Sequence, residues 1–173
     1  MGRTILLTGR PGVGKTTVIK EVVERLSGRV GGFYTAETRK AGRRQGFKII
    51  TLNGQQGLLS HVKIKGWPRV SKYGVNLKDL EEIGVAALRQ AIAEDDCIVV
   101  DEIGKMELLS EEFRKAVMEA IESEKVVLGT VMATRQPWVD ALKAHPQVTV
   151  LEVTRDNREK MVQLVIDMLE SPL

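Results

Sequence analysis

Short unbroken apolar runs alternate along this chain with stretches in which apolar residues return every three or four positions. These are the periods of buried strands and of helices covered on one face. Thr4-Ile5-Leu6-Leu7-Thr8 has strand character, and Thr17 to Leu26 carries the first helical spacing. Glycines then lead into aromatic and β-branched residues from Gly28 to Arg39, predicting a second strand. A basic turn, Arg39 to Arg44, precedes a further strand from Gly46 to Leu52. Asn53-Gly54 is a tight-turn signal, so Gly57 to Ile64 is expected to pair back as a hairpin. The segment from Arg39 to about Lys65 thus reads as an antiparallel insertion on a parallel sheet.

Gly66-Trp67-Pro68 breaks this pattern, and Asn76 is placed to cap a helix from Leu77 through Ala93, striped by Leu80, Ile83, Val85, Ala87, Leu88 and Ile92. Cys97-Ile98-Val99-Val100 predicts a strand covered on both faces, with Asp101 and Glu102 emerging at its end. A helix from about Ser110 to Glu122, a strand Val126–Val131, a short helix Val139–Lys143 and a strand Val148–Val153 follow. Asp156 and Glu159 fit a capping box for a closing helix whose apolar face is Met161, Leu164, Val165, Met168 and Leu169. This order predicts an α/β fold, one doubly wound domain over residues 1–173 with a mainly parallel sheet, right-handed crossovers and an antiparallel hairpin insertion.

Composition narrows the class. In 173 residues, 43% are hydrophobic, enough for a core, and 26 basic against 23 acidic residues leave a net charge of only +3. That balance gives nucleic acid little support as a partner, since a phosphate-rich small molecule explains local basic clusters equally well. A lone cysteine, Cys97, excludes an internal disulfide and reads as a small buried residue. His61 and His145 have no metal-site spacing. The first apolar run is too short for a signal peptide, and no run approaches transmembrane length. The expectation is a cytoplasmic protein with no membrane partner. Its oligomeric state is open, a monomer being compatible.

The chemistry starts at Gly9-Arg10-Pro11-Gly12-Val13-Gly14-Lys15-Thr16, a Gly, four free positions, then Gly-Lys-Thr, between a strand and a helix. Such a Walker A loop wraps phosphate with backbone N–H groups, extends Lys15 to the outer phosphates and offers the Thr16 hydroxyl to Mg²⁺. Asp101 and Glu102 stand where open α/β sheets bind ligands. Asp101 suits Mg²⁺ or its water shell, and Glu102 suits alignment of a water attacking the γ-phosphate. Thr130 at its strand end either bonds that water or a γ-phosphate oxygen, or has no chemistry. Lys105 and Glu107 either touch nucleotide, order Glu102 or are solvated. Trp138 either stacks on a base or packs against the domain. Arg44, Lys105 and Arg158 are the candidate charge stabilisers, Arg158 because a cation in a first helical turn opposes the dipole preference.

Four classes compete. A triphosphate hydrolase accounts for Asp101-Glu102 directly. A nucleotide or small-molecule kinase accounts for the basic hairpin but lacks an evident acceptor site, and a nucleic-acid-coupled ATPase remains an alternative. Asp101-Glu102-Ile103-Gly104 also satisfies the Asp-x-x-Gly of switch GTPases, but the guanine-reading Asn-Lys-x-Asp is missing.

Leu7-Thr8-Gly9 through Thr16-Thr17, Gly32-Phe33-Tyr34-Thr35, Arg44-x-Gly46-Phe47, Tyr73-Gly74-Val75-Asn76, Asp101 through Leu108 and Asn157-Arg158 together resemble the thermophile and cancer-related nucleoside-triphosphatase family. The matches run from the N-terminus to the last helix, and Asp-Glu-Ile-Gly-Lys-Met-Glu-Leu is the most discriminating. The resemblance implies a RecA-like P-loop domain that slowly hydrolyses ATP, GTP, CTP and UTP to diphosphates, with Mg²⁺ and little base preference. It also carries nucleotide binding onto Gly9 through Thr16, with Thr17 beside them, and onto Cys97-Ile98-Val99-Val100-Asp101-Glu102-Ile103-Gly104. Lys15 and Glu102 are the expected catalytic pair, and Thr16 and Asp101 the expected metal pair.

Overall fold

A computed structural model describes residues 3–171. Strand β1 (Thr4–Thr8) runs into the glycine-rich loop and helix α1 (Lys15–Arg25). Strands β2 (Val30–Lys40), β3 (Arg43–Thr51) and β4 (Gln56–His61) form an antiparallel meander, extended by a small hairpin of β5 (Arg69–Val70) and β6 (Tyr73–Val75). A one-turn helix α2 (Leu77–Asp79), a π-helical segment (Leu80–Val85) and α3 (Ala86–Glu94) lead to β7 (Cys97–Ile103). After a short 3₁₀ turn (Glu107–Leu109) come α4 (Glu111–Glu122), β8 (Val126–Val131), α5 (Pro137–Lys143), β9 (Val148–Glu152) and α6 (Arg158–Glu170).

The described residues build a nine-stranded sheet in the order β5-β6-β4-β3-β2-β7-β8-β1-β9. From β2 to β9 every pairing is parallel; from β2 outward through β3, β4, β6 and β5 every pairing is antiparallel. The expected insertion is therefore a sheet extension, with β2 serving both halves. Alternation on the parallel strands divides the core. Leu6, Ile98 and Val100 pack on one face with Phe113, Val117 and Leu88 from α4 and α3. Ile5, Leu7 and Val99 pack on the other with Val18, Val22, Val162 and Val165 from α1 and α6. Strands covered on both faces need apolar side chains at every position, which is why these runs do not alternate in sequence.

Three local expectations change. The break at Gly66-Trp67-Pro68 opens the β5–β6 hairpin, held by the Arg69 guanidinium, which donates to the Ile64 and Lys72 carbonyls at 2.7 and 2.8 Å. The helix from Leu77 through Ala93 does begin at Asn76, whose side chain accepts from the Asp79 N–H at 3.0 Å, but it carries a π-helical segment where Gly84 meets the Phe33 ring. The Asp156–Glu159 capping box is replaced by a pair two residues earlier. The Thr154 N–H donates to the Asn157 side chain at 2.8 Å and the Asn157 N–H donates to the Thr154 hydroxyl at 3.2 Å, satisfying donors at the mouth of α6 reciprocally.

Candidate active site

The glycine-rich loop crosses from β1 to α1 with Val13 buried as its anchor. Gly9 has φ 146°, and a Cβ there would fall 2.5 Å from the Val153 carbonyl oxygen, so only glycine lets the loop start flush against β9's end. Gly14 caps α1 at φ 108°. No side chain caps the first turn of α1, where Lys15, Thr16 and exposed Thr17 stand, and such an uncapped helix N-terminus favours anions. The Lys15 ammonium donates to the Gly9 carbonyl at 2.9 Å.

Strand β7 lies between β2 and β8, and its ladder with β8 is interrupted between Val100 and Ile103. Asp101 and Glu102 occupy that interruption. Asp101 is buried, and both its carboxylate oxygens accept short hydrogen bonds, Oδ2 from the Thr16 hydroxyl at 2.7 Å and Oδ1 from the Thr130 hydroxyl at 2.6 Å. Burial raises its pKa, opposed by those two hydroxyls and by Lys15 and Lys20. Glu102 Oε2 stands 3.8 Å from Lys15 Nζ. Burial raises its pKa too, Lys15 opposing and Asp101 reinforcing. Residues 85 positions apart, Thr16 and Asp101, are thus in direct contact.

Glu107, which with Lys105 the sequence leaves open in the loop after β7, is buried, and its pKa is pushed up to about 8 by burial first and by Glu102 second. A Cβ on Gly104 would lie 2.7 Å from Glu102 Oε1 and 3.1 Å from Glu107 Oε2, so the two carboxyl groups flank that glycine. Lys105 is exposed and shares a cavity wall with Glu102. Arg158 lies across the phosphate loop, its Cδ and a guanidinium nitrogen 3.4 and 3.7 Å from where a Gly14 Cβ would be. Arg44 is held elsewhere. It donates to the Tyr73 hydroxyl at 2.9 Å and to Glu37 at 3.2 Å, and stacks over the Phe47 and Tyr73 rings on the antiparallel half.

The stretch Cys97-Ile98-Val99-Val100 does not face the loop. These side chains are buried between the layers that cover the two faces of the sheet, and burial pushes the Cys97 thiol up to about 12. They lead β7 to Asp101 and Glu102; buried Ile103 ends the strand, and buried Gly104 begins the turn after it. Thr130 holds Asp101. Its strand-end position was the available signal; its partner was not, because β8's place between β7 and β1 is a matter of topology. Trp138 packs against the core, and His61 and His145 accept from nearby backbone N–H groups.

Two cavities adjoin the loop. One, of about 600 Å³, has walls from Arg10, Pro11, Gly12, Glu152, Thr154 and Arg155. The other, of about 430 Å³, runs from Gly9 and Lys15 to Glu102, Met132 and Thr134. Among the described residues no cluster of three or more His, Cys, Asp or Glu forms a metal cage. The Thr16 hydroxyl beside the Asp101 carboxylate is nonetheless an all-oxygen donor pair, which suits Mg²⁺, an ion that takes few protein ligands and completes its shell with water and phosphate oxygens.

A family model described as NTPase matches residues 4–166. The nucleoside-triphosphatase THEP1 of Thermotoga sp. (strain RQ2) is 49% identical over 166 residues, 96% of this chain and 95% of that one. That of Methanothermobacter thermautotrophicus is 39% identical over 169 residues, 95% of each. Among solved structures, THEP1 from the hyperthermophile Aquifex aeolicus superimposes with TM-score 0.86 at 35% identity, covering 97% of this chain and 99% of that one. A human cancer-related nucleoside triphosphatase does so with TM-score 0.84 at 36% identity, covering 99% and 100%. Sequence and fold agree along nearly the full length: this chain belongs to the THEP1 nucleoside-triphosphatase family and is an enzyme of that class.

Proposed function

We propose that the enzyme hydrolyses ATP, GTP, CTP and UTP to the diphosphate and phosphate with Mg²⁺ and little base preference, as a single cytoplasmic domain. The observation that carries this reading is the interlock of loop and strand end: Thr16 bonded to Asp101 at 2.7 Å, and Lys15 3.8 Å from Glu102. A triphosphate held by Gly9 through Thr16, with Thr17 flanking, has its outer phosphate beside Lys15 and in front of Glu102. Glu102 accepts a proton from water as the water oxygen attacks phosphorus and the bond to the bridging oxygen breaks. Its raised pKa brings the carboxylate nearer to neutrality and makes it a stronger base.

Thr16 and Asp101 would hold Mg²⁺, which when bound neutralises charge on the β- and γ-phosphates. Arg158, lying over Gly14, is the best placed of the three candidate charge stabilisers. Low base selectivity is supported by the walls of the 600 Å³ cavity, where Pro11, the Arg10 and Arg155 stems and Gly12 offer packing surface that any base can use.

Phosphate release from each of the four triphosphates, with no acceptor added, tests the reading. All four are hydrolysed at rates within about an order of magnitude of one another. Glu102→Gln keeps nucleotide affinity and loses at least about 100-fold in kcat, the scale of general-base catalysis. A variant that hydrolyses ATP at the parent rate shows the base assignment to be wrong.

A further inference from the structure

Glu102 borders a further cavity, which no phosphate-loop residue lines. It measures about 240 Å³ and is walled by Phe47, Leu59, Val70, Met106 and Met132. The antiparallel extension supplies Phe47, Leu59 and Val70, and the loop after β7 supplies Met106. Glu102, Met132 and Thr134 line both this cavity and the 430 Å³ cavity that contains Lys15 and Gly9. The Glu102 carboxylate is divided between the two sides: Oε2 lies toward Lys15, and Oε1 lies over Gly104 beside Glu107. One carboxylate therefore stands between the phosphate site and an apolar chamber.

We propose that this chamber is an acceptor site for a small, uncharged, largely hydrocarbon alcohol, to which the enzyme transfers the γ-phosphoryl group. The proposal rests on the reading of Glu102 given above. The volume suits a compact molecule, on the order of eight water-sized groups. The walls suit hydrocarbon. The Glu102 carboxylate disfavours an anionic acceptor such as a nucleoside monophosphate, and Lys105 is the one cation among the described lining residues. Hydrolysis alone needs room for one water; five apolar side chains around a chamber of this size provide far more.

The transfer balances with no redox partner. The alcohol oxygen bonds to the γ-phosphorus, the bond from that phosphorus to the bridging oxygen breaks, the nucleoside diphosphate leaves with the electron pair, and the hydroxyl proton passes to Glu102. The products are an alkyl phosphate and the diphosphate.

The experiment incubates the whole chain with Mg²⁺, ATP and either 3-methylbutan-1-ol or ethanol at equal concentration, following alkyl phosphate by ³¹P NMR and ADP by chromatography. The expected result is at least tenfold more 3-methylbutyl phosphate than ethyl phosphate. Val70→Trp and, from a separate wall, Met106→Trp fill the chamber without touching the phosphate loop. Either is expected to reduce alkyl phosphate at least tenfold while ADP formation in water alone stays within twofold. Equal or undetectable transfer to the two alcohols overturns the proposal. So does unchanged transfer in both filled variants, or loss of hydrolysis in parallel with transfer in both. Failure of the acceptor site is separable from failure of the hydrolytic reading. ADP without alkyl phosphate counts against the acceptor site alone, whereas no ADP in the alcohol-free control counts against the role of Glu102.

Discussion

Thr130 donates a 2.6 Å hydrogen bond from the end of β8 to Oδ1 of Asp101 on β7, while Thr16 from the phosphate loop takes the other oxygen at 2.7 Å. The loop and the two strands are joined through one buried carboxylate. Thr130→Val keeps the shape and removes the donor. The expected outcome is a Mg²⁺ requirement raised about 10- to 100-fold, the usual cost of losing an outer partner of a metal ligand, with Thr130→Ser restoring it. The measurement is phosphate release against Mg²⁺ at saturating ATP. An unaltered Mg²⁺ midpoint in Thr130→Val would show that the bond does not position Asp101.

Arg158 and Arg44 separate by position. Arg158→Ala removes a cation lying over the loop and is expected to lower kcat at least tenfold, a small part of what an arginine beside a transferring phosphoryl group can supply. Arg44→Ala disconnects Tyr73, Glu37 and Phe47 on the sheet extension. It is expected to lower the melting temperature and leave kcat within twofold. Turnover at saturating nucleotide together with thermal unfolding decides both, and a reversed pattern would transfer the charge-stabilising role to Arg44.

Glu107 makes stability fall as pH rises. At low pH its carboxyl is protonated in both the folded and unfolded chain. Above the ordinary value of 4.5 the unfolded chain releases the proton, but the folded chain holds it to about pH 8, so folding is progressively opposed across that window, by on the order of a few kcal/mol. Glu107→Gln cannot ionise. Its melting temperature should decline less between pH 5 and 8 than the parent's, by differential scanning at matched ionic strength; parallel curves would rule out Glu107 as the group that holds the proton.

Gly9 and Gly12 both have positive φ, 146° and 78°, but only at Gly9 would a Cβ strike backbone, 2.5 Å from the Val153 oxygen; nothing lies within 4 Å at Gly12. Gly12→Ala is expected to cost about 1–3 kcal/mol of nucleotide-free stability through backbone conformation alone. Gly9→Ala costs more, because the loop must also move away from β9. Denaturant titration of both variants measures the difference; equal losses would show that the contact with Val153 relaxes freely.

The phosphate loop and the acidic end of β7 were legible in the residues because both are local. A tight turn that approaches phosphate requires glycines at fixed spacing, and a strand buried on two faces requires an unbroken apolar run, so Gly9 to Thr16 and Cys97 to Glu102 state their geometry in sequence. Periodicity does not say where along a strand burial ends and a site begins, and the extension of binding back along β7 to Cys97 came only with the family resemblance. Tertiary structure decided the rest. That β8 inserts between β7 and β1, bringing Thr130 to Asp101, depends on crossovers that no local pattern encodes. The burial of Glu107 and the chamber beside Glu102 arise where the antiparallel extension closes over the loop after β7. Solvent exclusion there is a property of several packed elements together, and a single stretch of sequence carries no record of it.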